Sequence, residues 1–100
     1  MILYNITFKV EHQATASFKQ FLEEEHLPDV YAFRMVESHK LYRLLEQDDS
    51  ESITLCLQYF LPDMGTYRQH EELLDYSFKN QIRKQFGDKV LFFSTVLKQM

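Results

Sequence analysis

Val90-Leu91-Phe92-Phe93-Ser94-Thr95-Val96-Leu97 is the stretch on which the fold turns. Read with the two-residue period of a strand, it puts Leu91, Phe93, Thr95 and Leu97 on one side and Val90, Phe92, Ser94 and Val96 on the other. Both sides are apolar, and a strand that is apolar on both sides is buried on both. One layer of cover can come from helices of the same chain. The second has to come from elsewhere.

Immediately upstream, Tyr67, Leu74, Phe78, Ile82 and Phe86 form the apolar stripe of a helix. It opens at Pro62-Asp63, with Asp63 as N-cap. It closes at Gly87, in the position of a left-handed C-terminal cap. Lys79, Arg83 and Lys84 fall in its last turns, where the helix dipole favours cations. Before it, Ile53 to Phe60 alternates as a strand. Ile53, Leu55, Leu57 and Tyr59 face one way, and Thr54, Cys56 and Gln58 the other. The polar run Glu46-Gln47-Asp48-Asp49-Ser50-Glu51 reads as an exposed hairpin loop, fed by a long strand from Phe33 to Leu45. A first helix covers Gln13 to His26 on the stripe Ala14, Phe18, Phe21 and Leu22. Pro28 ends it by pushing Leu27 toward extended geometry, leaving room for one short turn over Pro28-Asp29-Val30-Tyr31. The first strand, Ile2 to Val10, sets Ile2, Tyr4, Ile6, Phe8 and Val10 against Asn5, Thr7 and Lys9.

The order is β-α-β-β-α-β over one domain, residues 1–100. It predicts an α+β, ferredoxin-like sandwich: a four-stranded antiparallel sheet with two helices on one face. Right-handed crossovers put the first and third strands at its centre. The helices leave the other face open. That face carries Asn5, Thr7, Thr54, Cys56 and Gln58, with Lys9 at its margin, a neutral mixture that suits an interface better than water. Two such faces meeting about a two-fold axis give a dimeric α/β barrel, so a homodimer is expected.

The charge excludes some partners. Eleven Lys and Arg against fifteen Asp and Glu give a net charge of −4. The cations are scattered, without the basic face that nucleic acid requires. Anionic membrane surfaces are disfavoured on the same ground. No apolar stretch approaches the roughly 20 residues needed to span a bilayer. The interrupted start Met1-Ile2-Leu3-Tyr4-Asn5-Ile6-Thr7-Phe8 does not read as a signal peptide. The one cysteine, Cys56, reads as a small buried hydrophobe in a strand, and a reducing cytoplasm is the expected compartment.

Candidate chemistry is sparse. His26 follows three glutamates, but Glu23, Glu24 and Glu25 point in successive directions around a helix and cannot converge on one ion. His26 then closes the last helical turn in its positive form, or lines a pocket at that helix end. Arg34 and His39 belong to a strand of alternating charges, the pattern of a solvated edge, with an anion-binding role as the alternative for Arg34. Tyr59 reads as core with its hydroxyl at the rim, or as a pocket donor. His12 and His70 read as exposed. No histidine pair has metal-ligand spacing, and the two glycines cannot form a phosphate loop. No metal and no cofactor are expected.

Met1-Ile2-Leu3-Tyr4-Asn5, Glu24-Glu25-His26-Leu27-Pro28-Asp29-Val30, Gln58-Tyr59-Phe60 and Phe86-Gly87-Asp88-Lys89 resemble a small bacterial family of unknown function. More distantly the chain is similar to the dimeric α/β barrel superfamily, which includes cofactor-independent antibiotic-biosynthesis monooxygenases and haem-degrading enzymes. Asn5 stands where the haem-degrading branch has an asparagine. That branch also needs a tryptophan, which this chain lacks, and a histidine later in the second helix than His70. The resemblance therefore implies a homodimeric domain of unassigned role, non-catalytic or binding a small apolar ligand. The alternative is a cofactor-independent monooxygenase acting on an aromatic or polycyclic molecule. Asn5, His26, Arg34 and Tyr59 are the pocket residues either version would use.

Overall fold

A computed structural model describes residues 1–48 and 50–100. Strand β1 (Ile2–Glu11) leads into helix α1 (His12–Phe21), a π turn (Leu22–His26) and helix α2 (Leu27–Ala32). Strands β2 (Ser38–Arg43) and β3 (Ser52–Leu61) follow, then α3 (Met64–His70), a second π turn (Glu71–Asp75), α4 (Tyr76–Phe86) and β4 (Val90–Lys98). The sheet order is β2-β3-β1-β4, antiparallel throughout. The fold is the ferredoxin-like α+β sandwich that the strand and helix periods predict. The alternation in β1 is obeyed to the residue: Ile2, Tyr4, Ile6, Phe8 and Val10 are buried beneath the helices. β3 matches it with Ile53, Leu55, Leu57, Tyr59 and Leu61.

The first helix does not end at Pro28. The rod continues through it to Ala32. The π turn explains how. The Leu27 N–H bonds the Leu22 carbonyl, five residues back rather than four. The next such bond would need an N–H from residue 28, which proline lacks, so nothing is lost there. The wider turn also eases the clash between a proline ring and the carbonyl four residues before it.

The second strand is shorter than the expected Phe33 to Leu45. Arg34 adopts a left-handed φ of 57° and turns the chain straight out of α2. Met35 and Val36 are buried in that turn, held by the Glu37 N–H donating to the Phe60 carbonyl at 2.8 Å. Their burial belongs to the seam between helix and sheet, not to a strand. The loop from Glu46 to Glu51 is exposed where described, and Asp49 lies outside the described residues.

Asp63 caps α3 as expected, accepting the Thr66 N–H at 2.7 Å. Gly87 has φ 53° and ψ −131°. This is a positive φ that glycine tolerates, but not the left-handed helical cap. The chain passes from it into a single 3-10 turn, Gly87–Lys89, before β4. Cys56 is not core: it is half-buried on the open face, 3.9 Å from the Thr7 hydroxyl.

Candidate functional site

The interior between sheet and helices is apolar except at one end. There Tyr4 of β1 and Tyr59 of β3 are cross-strand partners beneath the helix layer, both fully buried. His26, on the first π turn, hydrogen-bonds the Tyr59 hydroxyl through Nε2. Its ring lies flat on Phe78, with centroids 3.4 Å apart and planes 11° from parallel. His70 ends α3 with its ring 5.4 Å from that of Tyr59 and 6.0 Å from that of Tyr4. Asp75 ends the second π turn, and Lys79, one turn on, approaches its Oδ2 to 2.9 Å while donating to the Ser94 hydroxyl on β4 at 3.1 Å.

The second π turn makes this possible. Residues five apart on a regular α-helix point to different sides. A turn closed after five residues brings both to one face, and His70 and Asp75 are each 1% exposed. A spacing of four runs through His70, Leu74, Phe78, Ile82 and Phe86, and through Phe18, Leu22, His26 and Val30. It exceeds the 3.6-residue period of an α-helix, and the π turns absorb the excess.

Burial sets the electrostatics. It pushes the His26 imidazole down to about 3, with His70 and His39 adding to the effect, so His26 is neutral. This corrects the cationic helix-closing role expected for it. Burial also lowers His70, opposed by the Asp75 carboxylate, and the expectation that His70 is exposed fails. Tyr59 is raised well above its usual range by burial and by Asp75. Tyr4 is raised in the same way, with the Ser94 hydroxyl opposing. Among the described residues, the Tyr4 hydroxyl, His70 Nδ1 and Asp75 Oδ1 have no hydrogen-bond partner, and Asp75 Oδ2 has only its ion pair with Lys79.

Of the four residues expected to share a pocket, the fold brings together His26 and Tyr59. Asn5 lies on the opposite, open face, donating to the Thr7 hydroxyl at 3.2 Å. Arg34 sits in the exposed turn after α2. His39 is on the edge strand β2, hydrogen-bonded to the Tyr31 hydroxyl. Tyr4, His70, Asp75 and Lys79 are the members that the sequence did not single out. The rings of Phe78, His70 and Tyr4 pack around His26 and Tyr59, and both are buried. Among the described residues no group of three or more His, Cys, Asp or Glu is placed to hold a metal.

The open face is the second candidate. Leu91, Phe93 and Leu97 of β4 are 55%, 63% and 50% exposed. The strand pairings order the face into rows across the sheet. One row is Ser38, Phe60, Leu3 and Leu97, and the next is Lys40, Gln58, Asn5 and Thr95. Then come Tyr42, Cys56, Thr7 and Phe93, and beyond them Thr54, Lys9 and Leu91.

A family model matches residues 1–100. The chain belongs to DUF4286, a domain family of unknown function. No curated protein matches it. Among solved structures, this DUF4286 domain is similar to a dimeric ferredoxin-like protein from an uncultured marine organism, with TM-score 0.74, 14% identity and coverage of 96% and 92% of the two chains. HapK from Hahella chejuensis gives TM-score 0.71 at 9% identity, over 100% of this chain and 93% of that one. A candidate antibiotic biosynthesis monooxygenase from Deinococcus radiodurans gives TM-score 0.64 at 16% identity, over 100% and 93%. At such identities the DUF4286 domain shares their fold, and a fold does not fix an activity.

Proposed function

We propose that this DUF4286 domain is a single-domain, cytoplasmic homodimer whose two open sheet faces close on each other as a barrel, and that it is a non-catalytic module rather than an enzyme. The observation that carries the reading is the exposed row Leu91, Phe93 and Leu97. Each such side chain left in water forgoes about 1.5–3 kcal/mol, and monomers rarely show contiguous patches of this kind. The neutral centre of the face, Asn5, Thr7, Cys56 and Gln58, is half-buried already and can pair without stranding a charge. The dimeric ferredoxin-like neighbour supports the same reading.

A monooxygenase would need a substrate beside His26 and Tyr59. The rings of Phe78 and His70 packed around them favour the non-catalytic reading, as does the placing of Asn5 and Arg34 elsewhere. A small apolar ligand would then belong in the barrel between the sheets. A net charge of −4 speaks against nucleic acid as a partner, and among the described residues no helix is long and apolar enough to cross a membrane.

Light scattering at micromolar concentration should return twice the chain mass, and Thr7→Glu, at the centre of the open face, should shift it toward one chain. A wild-type protein that is monomeric across that range overturns the proposal.

A further inference from the structure

The open face carries both a knob and a hole. Phe93, 63% exposed, stands out from it. Toward one end of the strands lies a hollow of about 330 Å³ whose apolar walls are Met1, Leu3, Phe60 and Leu97. Within one chain the two cannot meet, because Phe93 pairs with Thr7 while Leu3 pairs with Leu97, four residues along the strand. They can meet in a second copy of this chain.

We infer that the two-fold axis of the dimer crosses the Asn5–Gln58–Thr95 row, so that Phe93 of each copy seats in the hollow of the other. The inference rests on the sheet-to-sheet pairing proposed above and fixes its register. An axis perpendicular to the strands at that row carries the Phe93 row of one copy over the Leu3–Phe60–Leu97 row of the other, setting Phe93 on the Leu97 wall of the hollow and the small Thr7 and Cys56 over Leu3 and Phe60. Asn5 and Gln58 then face their own counterparts. Amides suit that place, since each offers both a donor and an acceptor. Lys9, two residues beyond Thr7 on β1, passes over the end of the partner sheet and keeps its ammonium in water. Moving the axis half a row, to lie between Asn5 and Thr7, would lay Lys9 on Leu3 and Phe60. That would strip an unpaired ammonium of water, which is costly. Lys40, in the axial row, also faces its own counterpart, but it sits exposed on the edge strand β2 with its Nζ 5.7 Å from the Phe60 ring centroid, so the two ammoniums stay at the rim in water.

A size swap tests the register, with the dimer dissociation constant read by sedimentation equilibrium. Leu3→Trp fills the hollow and should weaken the dimer by about tenfold or more, as should Phe93→Ala. The double variant should dimerise at least about tenfold more tightly than Leu3→Trp alone, since the smaller knob fits the smaller hole. Lys9→Glu should leave the constant unchanged. Losses that simply add in the double variant, or a large loss from Lys9→Glu, overturn the register while leaving the dimer standing. A monomeric wild type removes the pairing itself. Should Leu3→Trp fail to fold by circular dichroism, Asn5→Asp decides. Two carboxylates on the axis should weaken the dimer more at pH 7 than at pH 4, and no such difference overturns the inference.

Discussion

At the scale of single residues, the strongest statement concerns His26. Its ring is stacked on Phe78 and bonded to Tyr59 in a buried setting, and burial drops it to about 3 from an ordinary value of 6.5. The folded protein therefore holds His26 neutral while the unfolded chain takes up a proton below about pH 6.5. Below that pH the unfolded state binds more protons, so stability falls as pH falls. His70 is shifted in the same direction and adds to the slope. The urea midpoint should be highest above pH 7 and decline steadily between pH 6.5 and pH 5, before most carboxylates titrate. In His26→Phe, which keeps a ring against Phe78, the decline should be shallower, with the remainder due to His70. An unchanged slope would place the burden on other groups.

At the scale of elements, the two helical rods carry the core. Phe78 stacks on His26 and also lies parallel to Phe21, with centroids 6.0 Å apart. Phe78→Ala should cost about 3–5 kcal/mol by thermal or denaturant melt, whereas His12→Ala on the exposed start of α1 should cost far less. Equal melting temperatures would contradict the burial of Phe78. The strands and the stripe of the second helix were legible because each position repeats one simple choice, apolar inward and polar outward. The π turns are less legible, although their signal is in the sequence. Five residues at successive spacings of four, from His70 to Phe86, cannot stay on one face of a straight α-helix. Two features mask it. A histidine is polar and reads as exposed, and Pro28 reads as a stop wherever the turn before it is a regular α-helical one. The second strand reads longer than it is for a related reason. Met35 and Val36 are buried, but a left-handed Arg34 places them in a turn, and a periodic pattern cannot distinguish the two. At the candidate site, His26 and Tyr59 were reachable as polar groups at element ends. Asp75 was not, because its burial depends on the π turn.

At the scale of the whole molecule, a pairing that buries the β4 row ties stability to concentration. The melting temperature should rise with protein concentration if folding and pairing are linked. It should become independent of concentration in Thr7→Glu, at a lower value. The sheet has a further consequence, and it concerns time. Its central strand β1 joins β3 on one side and β4 on the other, and the second pairing sets Ile2 opposite Lys98. Almost the whole chain must be looped before that ladder can close. Contacts so distant in sequence give slow folding compared with helical bundles of the same length. The hairpin of β2 and β3 and the two helical rods are local, and can form while β4 is still searching for its place. During that interval the chain shows its most apolar strand with neither ladder nor partner, so the rate of β1–β4 closure sets how long each newly unfolded or newly made molecule is at risk of aggregation.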